Sequence, residues 1–274
     1  MKASRGPLKR GQIAITEVNF SKADFEKIDE AERTLFFMAA QTANEIAMLR
    51  SIILQALQNE KGPKAVRETS LGIAFMCARI LAGRVTEGWE KLLSETKVAR
   101  IVDGILSALP DNPLASEIRQ EVSEARARLT AYFARPTPLL RRVRNKLAFH
   151  MDAPAVKGAF DLLPEDFPLV DFHTGSRGST FFGSADSLIA VAISHLAETS
   201  EPSAGIGQLV EESNRVGEDL ETVIDGFLMA FIAERFGPER LRGPPQKIIK
   251  YSPIGSRSRL GFYFDTAALR SVAS

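Results

Sequence analysis

The chain is nearly free of cysteine, since Cys77 is the only one among 274 residues. A single cysteine cannot form a disulfide within the chain, so the sequence does not indicate an oxidising compartment. Long apolar runs are also missing: no stretch reaches the roughly 20 residues that a membrane helix needs. No apolar signal core follows the charged residues at positions 1–10. We therefore expect a cytoplasmic protein with no membrane partner.

The chain also has little net charge, because 35 Lys and Arg are balanced by 34 Asp and Glu to leave +1. This balance excludes a uniformly basic nucleic-acid module and an acidic solvating tail. The positive charge that is present gathers in three stretches, at about residues 2–10, 135–146 and 240–259. A local basic site therefore remains compatible with the composition.

Apolar residues recur at helical spacing along most of the chain, and proline or glycine ends each run. Ser21, Asn112 and Thr137 are predicted to be N-caps, and Gly237 is predicted to end a long late helix. One helix is predicted to continue from the Ser21 cap through residue 57. The last short helix before residue 152 is predicted to run from residue 139 to about 151.

One segment has the alternating pattern of strands: residues 168–173 and 179–182 are joined by a glycine-containing turn. The predicted fold is therefore all-α, a helical bundle with one small inserted β-hairpin. We predict three regions: a basic N-terminal arm (1–20), a single helical domain (21–237) and a basic C-terminal tail (238–274). The domain is predicted to comprise a core (about 21–163), the hairpin (about 168–183) and additional helices (about 184–237).

The segment around residues 141–150, RRVRNKLAFH, holds more polar chemistry than packing requires. Five cations lie between Arg135 and Lys146, and no acid occurs between residues 134 and 150. At about 100° per residue, one face of this helix is apolar, and Arg144 and His150 fall on its two flanks. The apolar residues are Leu140, Val143 and Leu147.

Residues 144–150, RNKLAFH, resemble the R-x(4-6)-H motif, often beginning Arg-Asn, of HEPN-superfamily proteins. Many members of that family are all-helical, metal-independent RNases of toxin-antitoxin, abortive-infection and CRISPR-linked systems. The resemblance extends over a helical setting from about residue 21 to 163. It implies a HEPN-like endoribonuclease, such as a toxin or phage-defence component, with RNA and a cognate antitoxin protein as partners. The implied catalytic residues are Arg144, Asn145 and His150.

The residue types fit cleavage of RNA without a metal or another cofactor. Histidine can take and return protons near neutral pH, and arginine can hold phosphate oxygens bidentately. On an α-helix Arg144 and His150 would be about 9 Å apart along the axis and about 120° around it. That separation is awkward for one chain, so we predict a homodimer whose two copies form a composite site. The expected RNA-binding residues are Arg141, Arg142 and Lys146.

A structural role is the alternative for the same residues. Arginines beside an apolar stripe often bury their stems and pair with acids of neighbouring helices, and a histidine in a last helical turn often caps carbonyls. The chain would then be a non-catalytic helical interaction, adaptor or antitoxin-type protein. No metal-ligand spacing links the three histidines, and no P-loop or G-x-S-x-G motif occurs.

Overall fold

The structure is a computed structural model that describes residues 12–15, 18–58, 62–149, 152–173, 181–241 and 247–250. This part of the chain is mainly helical, which confirms the all-α prediction. The α-helices are α1 (Lys22–Glu26), α2 (Glu30–Ala56), α3 (Lys64–Gly88), α4 (Thr96–Ala108), α5 (Pro113–Phe133), α6 (Leu139–Val143), α7 (Ala153–Asp161), α8 (Gly183–Ala197) and α9 (Pro202–Phe236). Two π-helical turns, π1 (Trp89–Leu93) and π2 (Arg144–Ala148), directly continue α3 and α6. None of the helices in the described ranges is both long and apolar enough to cross a membrane.

Three of the predicted helix ends are confirmed. Ser21 forms a capping box with Asp24, and the Asn112 side chain accepts a hydrogen bond from a backbone N–H in the first turn of α5. Gly237 follows α9 with a φ of 91°, a conformation that favours glycine. The predicted continuous helix from Ser21 to residue 57 is divided in two, because Asp29 accepts two backbone N–H bonds as a second N-cap.

The predicted N-cap at Thr137 is wrong. Helix α6 has Pro138 at its N-cap and no capping bond from a neighbouring side chain. Instead the hydroxyl of Tyr132, at the end of α5, accepts a hydrogen bond from the Leu140 N–H at 3.1 Å. The same hydroxyl donates to the Glu212 carboxylate at 2.6 Å. A buried tyrosine therefore does what a local capping residue usually does, and it ties α5, α6 and α9 together.

Helix α9 lies at the centre of the bundle and packs against α2, α3, α4, α5 and α8. Phe227 and Phe231 of α9 are among the largest fully buried side chains. The helices at 184–237, which the sequence set apart as additions, thus share one buried core with the earlier ones. Gly205 lets α9 approach α8 closely, since a Cβ at this position would lie 2.5 Å from the Ser194 Cα.

The predicted β-hairpin at about residues 168–183 is not seen. Among the described residues there, β pairing is limited to one isolated bridge between Phe172 and Phe181. The predicted turn at 174–180 lies outside the described residues. Leu169 and Val170 are exposed, so these two side chains do not pack against the core. An isolated pair of strands is at best marginal in water, and this one lacks the packing that would extend it.

A two-stranded antiparallel pair forms elsewhere, between β1 (Gln12–Ile15) and β2 (Lys247–Lys250). Gln12 is opposite Lys250 and Ile15 is opposite Lys247. These strands belong to the regions that the sequence assigned to the basic arm and the basic tail. The pairing joins segments more than 200 residues apart, and no local turn signal in the sequence pointed to it.

Candidate functional site

The segment formed by α6 and π2 lies along α3 in the opposite direction. The apolar stripe predicted for it is buried: Leu140, Val143 and Leu147. The predicted α-helix from 139 to about 151 is wrong in its second half, because residues 144–148 form the π turn. A π-helix bonds i to i+5, so the separation expected for Arg144 and His150 on an α-helix does not apply. Single π turns of this kind are frequent at functional sites.

Arg144 is the first residue of π2, and its side chain is 36% exposed. Its Nη1 donates a hydrogen bond to the Asn145 Oδ1 at 3.0 Å, and Asn145 itself is exposed. The nearest carboxylate oxygen, Oε1 of Glu87, lies 3.9 Å from the Arg144 Nη2, which is too far for a hydrogen bond. Among the described residues, the buried Arg144 Nε has no hydrogen-bond partner. Arg144 therefore has donor capacity that this part of the chain does not use.

The carboxylate nearest to Arg144 is shared with a second arginine. Arg84 of α3 donates to Glu87 at 3.0 Å and also pairs with Glu45 of α2 at 2.7 Å. Its guanidinium carbon also lies 5.7 Å from the centroid of the Phe149 ring. Since Glu87 is held by Arg84, its negative charge only partly neutralises Arg144.

Phe149 follows π2 and marks the exposed edge of the site. Its side chain is 42% exposed, and the inner edge of its ring rests on α3 at Gly83. A Cβ at Gly83 would lie 2.5 Å from a Phe149 ring carbon, so only glycine leaves room for the ring in this position. An exposed aromatic ring beside an arginine, here Arg84, is a surface on which a nucleobase can stack.

The three predicted RNA-binding residues each face an acid of their own chain. Arg141 lies 3.6 Å from Glu90 and stacks over Phe133. Arg142 donates to Glu198 at 2.8 Å. Lys146 donates to Asp152 at 2.7 Å. Arg142 and Lys146 are thus in close ion pairs, whereas the partners of Arg141 and Arg144 are more distant.

His150 lies outside the described residues, so the structure does not test its predicted place beside Arg144. The described residues on either side of positions 150–151 are linked, since the Asp152 N–H donates a hydrogen bond to the Lys146 carbonyl at 3.1 Å. A cavity of about 490 Å³ opens beside this junction, between π2, α7 and α8. Its polar lining residues are Lys146, Asp152 and His195. The volume is within the range of small-ligand sites.

Sequence reasoning missed one charged residue that supports π2 from α3, together with an acid that lies near it. Arg79 of α3 donates to the Leu147 carbonyl at 3.3 Å. Burial lowers the pKa of Arg79, and the nearby Asp186 of α8 opposes that shift. Burial likewise raises the pKa of the Asp186 carboxyl, against the attraction of Arg79. The one signal in the sequence was the arginine that interrupts an otherwise apolar run near residues 71–82.

Within the described ranges, no cluster of three or more His, Cys, Asp or Glu side chains could hold a metal ion. The chain matches no family model, no curated protein and no solved structure.

Proposed function

We propose that the chain is a metal-independent endoribonuclease that acts through Arg144, Asn145 and His150. The observation that carries the proposal is the state of Arg144. Its guanidinium contacts the Asn145 amide and has no carboxylate within hydrogen-bond distance among the residues that the structure describes. Arg144 also begins a π turn, a feature that often accompanies functional sites. A phosphate could bind the free N–H groups without first breaking a tight ion pair.

In this reaction a base removes the proton of a ribose 2′-hydroxyl, whose oxygen attacks the adjacent phosphorus. The bond to the 5′-oxygen breaks, and that oxygen receives a proton. His150 is suited to take or supply these protons, because the unperturbed pKa of histidine is near neutrality. Arg144 would stabilise the charge that develops on the phosphate oxygens, and Asn145 would orient the substrate. Phe149 would offer its exposed ring to a base next to the cleaved bond.

The proposal includes a homodimer that brings two copies of the motif together. Its support is that three large apolar side chains are exposed on the motif and on the two helices next to it: Met48 of α2, Met76 of α3 and Phe149. Helices α2 and α3 pack against each other, and α3 also packs against π2. A second copy that covers these side chains would remove them from water.

The resemblance to HEPN proteins also leads us to propose a toxin or phage-defence role, with an antitoxin protein as partner. The support for this role is the motif at residues 144–150 together with the helical setting.

The test is incubation of the purified protein with mixed RNAs in EDTA. We expect cleavage by the wild type, loss of at least about 100-fold in the His150→Ala variant, and full activity in a His173→Ala control. His173 is exposed, its ring contacts Phe182, and it has no role in the proposed mechanism. Equal activity in the wild type and His150→Ala would refute the assignment.

A second candidate, a non-catalytic interaction protein, is favoured by a different observation. Each of the four cations from Arg141 to Lys146 faces a carboxylate of its own chain. If these pairs serve only the fold, Arg144→Ala should lower stability, and no RNA cleavage should be detectable in the wild type. Retained stability in Arg144→Ala, together with lost cleavage, would exclude this candidate.

A further inference from the structure

Two arginines lie on the same buried tyrosine, on the surface where α5 meets α9. The guanidinium carbon of Arg135 is 5.1 Å from the centroid of the Tyr132 ring, and that of Arg215 is 5.7 Å from it. The two guanidinium groups are therefore at most about 11 Å apart, with each within cation–π range of the ring. Both arginines are exposed.

Neither arginine forms an ion pair with a carboxylate of the described part of the chain. This differs from the three arginines of α5, each of which pairs with an acid. Arg119 pairs with Asp111, Arg126 with Asp103, and Arg128 with Asp219. Within the ranges that the structure describes, the charges of Arg135 and Arg215 are thus left without a carboxylate counter-ion, although the arginines of the adjoining helix α5 are paired.

The ring that carries the two arginines is fixed in place. Tyr132 is only 2% exposed, and its hydroxyl is bonded to both Leu140 and Glu212. The Glu212 carboxylate accepts hydrogen bonds from that hydroxyl and from Gln208. A guanidinium that stacks on a ring keeps its N–H edge free, and that edge matches a phosphate bidentately. The arrangement thus presents two preorganised phosphate-binding groups.

We infer that Arg135 and Arg215 form a binding site for phosphate groups of a single-stranded RNA, outside the motif at residues 144–150. The inference rests on the proposed function for its choice of RNA, and it extends that function by adding a site for the flanking strand. A neighbouring contact links the two regions. Arg141 stacks over Phe133, whose ring lies 5.0 Å from that of Tyr132. An RNA strand bound by Arg135 and Arg215 could therefore continue past Arg141 toward Arg144.

The alternative is that the two arginines only shield Tyr132 from water. That role requires their stems but not their charge, whereas phosphate binding requires the charge and gives a salt-dependent affinity. For single strands, the logarithm of the binding constant falls with the logarithm of the salt concentration, and each phosphate contact adds about 0.7 to the size of this slope. Two contacts correspond to a slope of about 1.4 and to an affinity difference of about 25-fold at 0.1 M salt.

The experiment measures binding of a fluorescent single-stranded oligoribonucleotide to the full chain, in the His150→Ala background, as a function of KCl concentration. We expect the double variant R135Q/R215Q to bind about 25-fold more weakly at 0.1 M salt and to lose about 1.4 in slope. The matched control is R119Q/R126Q, which removes two charges from α5 that are already paired. Melting temperatures of all variants check that the fold is intact.

Unchanged affinity and slope in R135Q/R215Q would overturn the inference, as would equal losses in the control or no RNA binding by the parent protein. A parallel titration with inorganic phosphate separates the two sources of phosphate. If phosphate binding alone depends on the two arginines, the ligand is a free anion and the RNA assignment is wrong. RNA binding that depends on them in a protein that never cleaves RNA would support this site while refuting the proposed catalysis.

Discussion

The hydroxyl of Tyr132 makes a sharp test of how α6 is held, through the change Tyr132→Phe. The variant keeps the ring, and with it the packing beneath Arg135 and Arg215, but removes one oxygen. The Leu140 N–H then loses its acceptor in a buried setting. Glu212 loses one donor but keeps its bond from Gln208.

The size of the effect follows from these losses. A buried N–H without a partner costs about 1–3 kcal/mol, and a hydrogen bond to a charged group contributes about 1.5–3 kcal/mol. Part of this is recovered, because the variant no longer removes a hydroxyl from water and the Glu212 carboxylate can be rehydrated. We expect the free energy of unfolding to fall by about 2 kcal/mol. The melting temperature should then fall by about 4–8 °C.

The assay is urea unfolding followed by far-UV circular dichroism. Thr137→Ala is the matched control, because it removes the side chain that the sequence pattern predicted as the cap. Since α6 has no capping bond from a neighbouring side chain, this control should change stability by less than about 0.5 kcal/mol. The reverse outcome, with a cost of about 1 kcal/mol for Thr137→Ala and none for Tyr132→Phe, would refute the reasoning.

Two further outcomes depend on single contacts. Gly205→Ala should lower the free energy of unfolding by about 1–3 kcal/mol, because its Cβ would meet the Ser194 backbone. Gly207→Ala on the same helix faces open space and should raise the free energy of unfolding by about 0.5–1 kcal/mol. Urea unfolding measures both variants, and equal effects would contradict the close approach of α8 and α9 at Gly205. Burial raises the folded-state pKa of Asp186, so its contribution to stability is present below the unfolded value near 3.8 and is lost as pH rises through the folded pKa. Relative to Asp186→Asn, the wild type should therefore lose stability as pH rises from 4 to 7, and unfolding midpoints across that range would show an opposite trend if the assignment were wrong.

The parts of the fold that the sequence predicted depend on local chemistry. Ser21 and Asn112 cap helices with side chains that reach only three residues along the chain, and Gly237 ends α9 through its own backbone. The Tyr132 cap was beyond such reasoning, since it reaches eight residues to Leu140 and depends on a carboxylate 80 residues away. Such a contact between distant residues exists only once the helices are packed, so the sequence pattern does not indicate it.

At the candidate site, too, features set by neighbouring residues were predicted and features set by distant residues were not. The apolar stripe of residues 140–147 follows from helical spacing, and its burial is confirmed. The π turn at Arg144 was not predicted, because the spacing of apolar residues does not distinguish i+4 from i+5 bonding over a single turn. The carboxylates facing the motif, such as Glu87 and Glu198, come from helices far away in the chain. Composition identified the cations but not which of them would be neutralised.

The pairing of β1 with β2 has a consequence for the order in which the chain folds. The strands are more than 200 residues apart, so closing the loop between them costs more conformational entropy than any contact between adjacent helices. Formation of the bundle brings the two segments near one another, because the ring of Phe20, just before α1, packs against that of Phe236, at the end of α9. The strand pair is thus expected to assemble last and to open first, as a separate step from the cooperative unfolding of the helices.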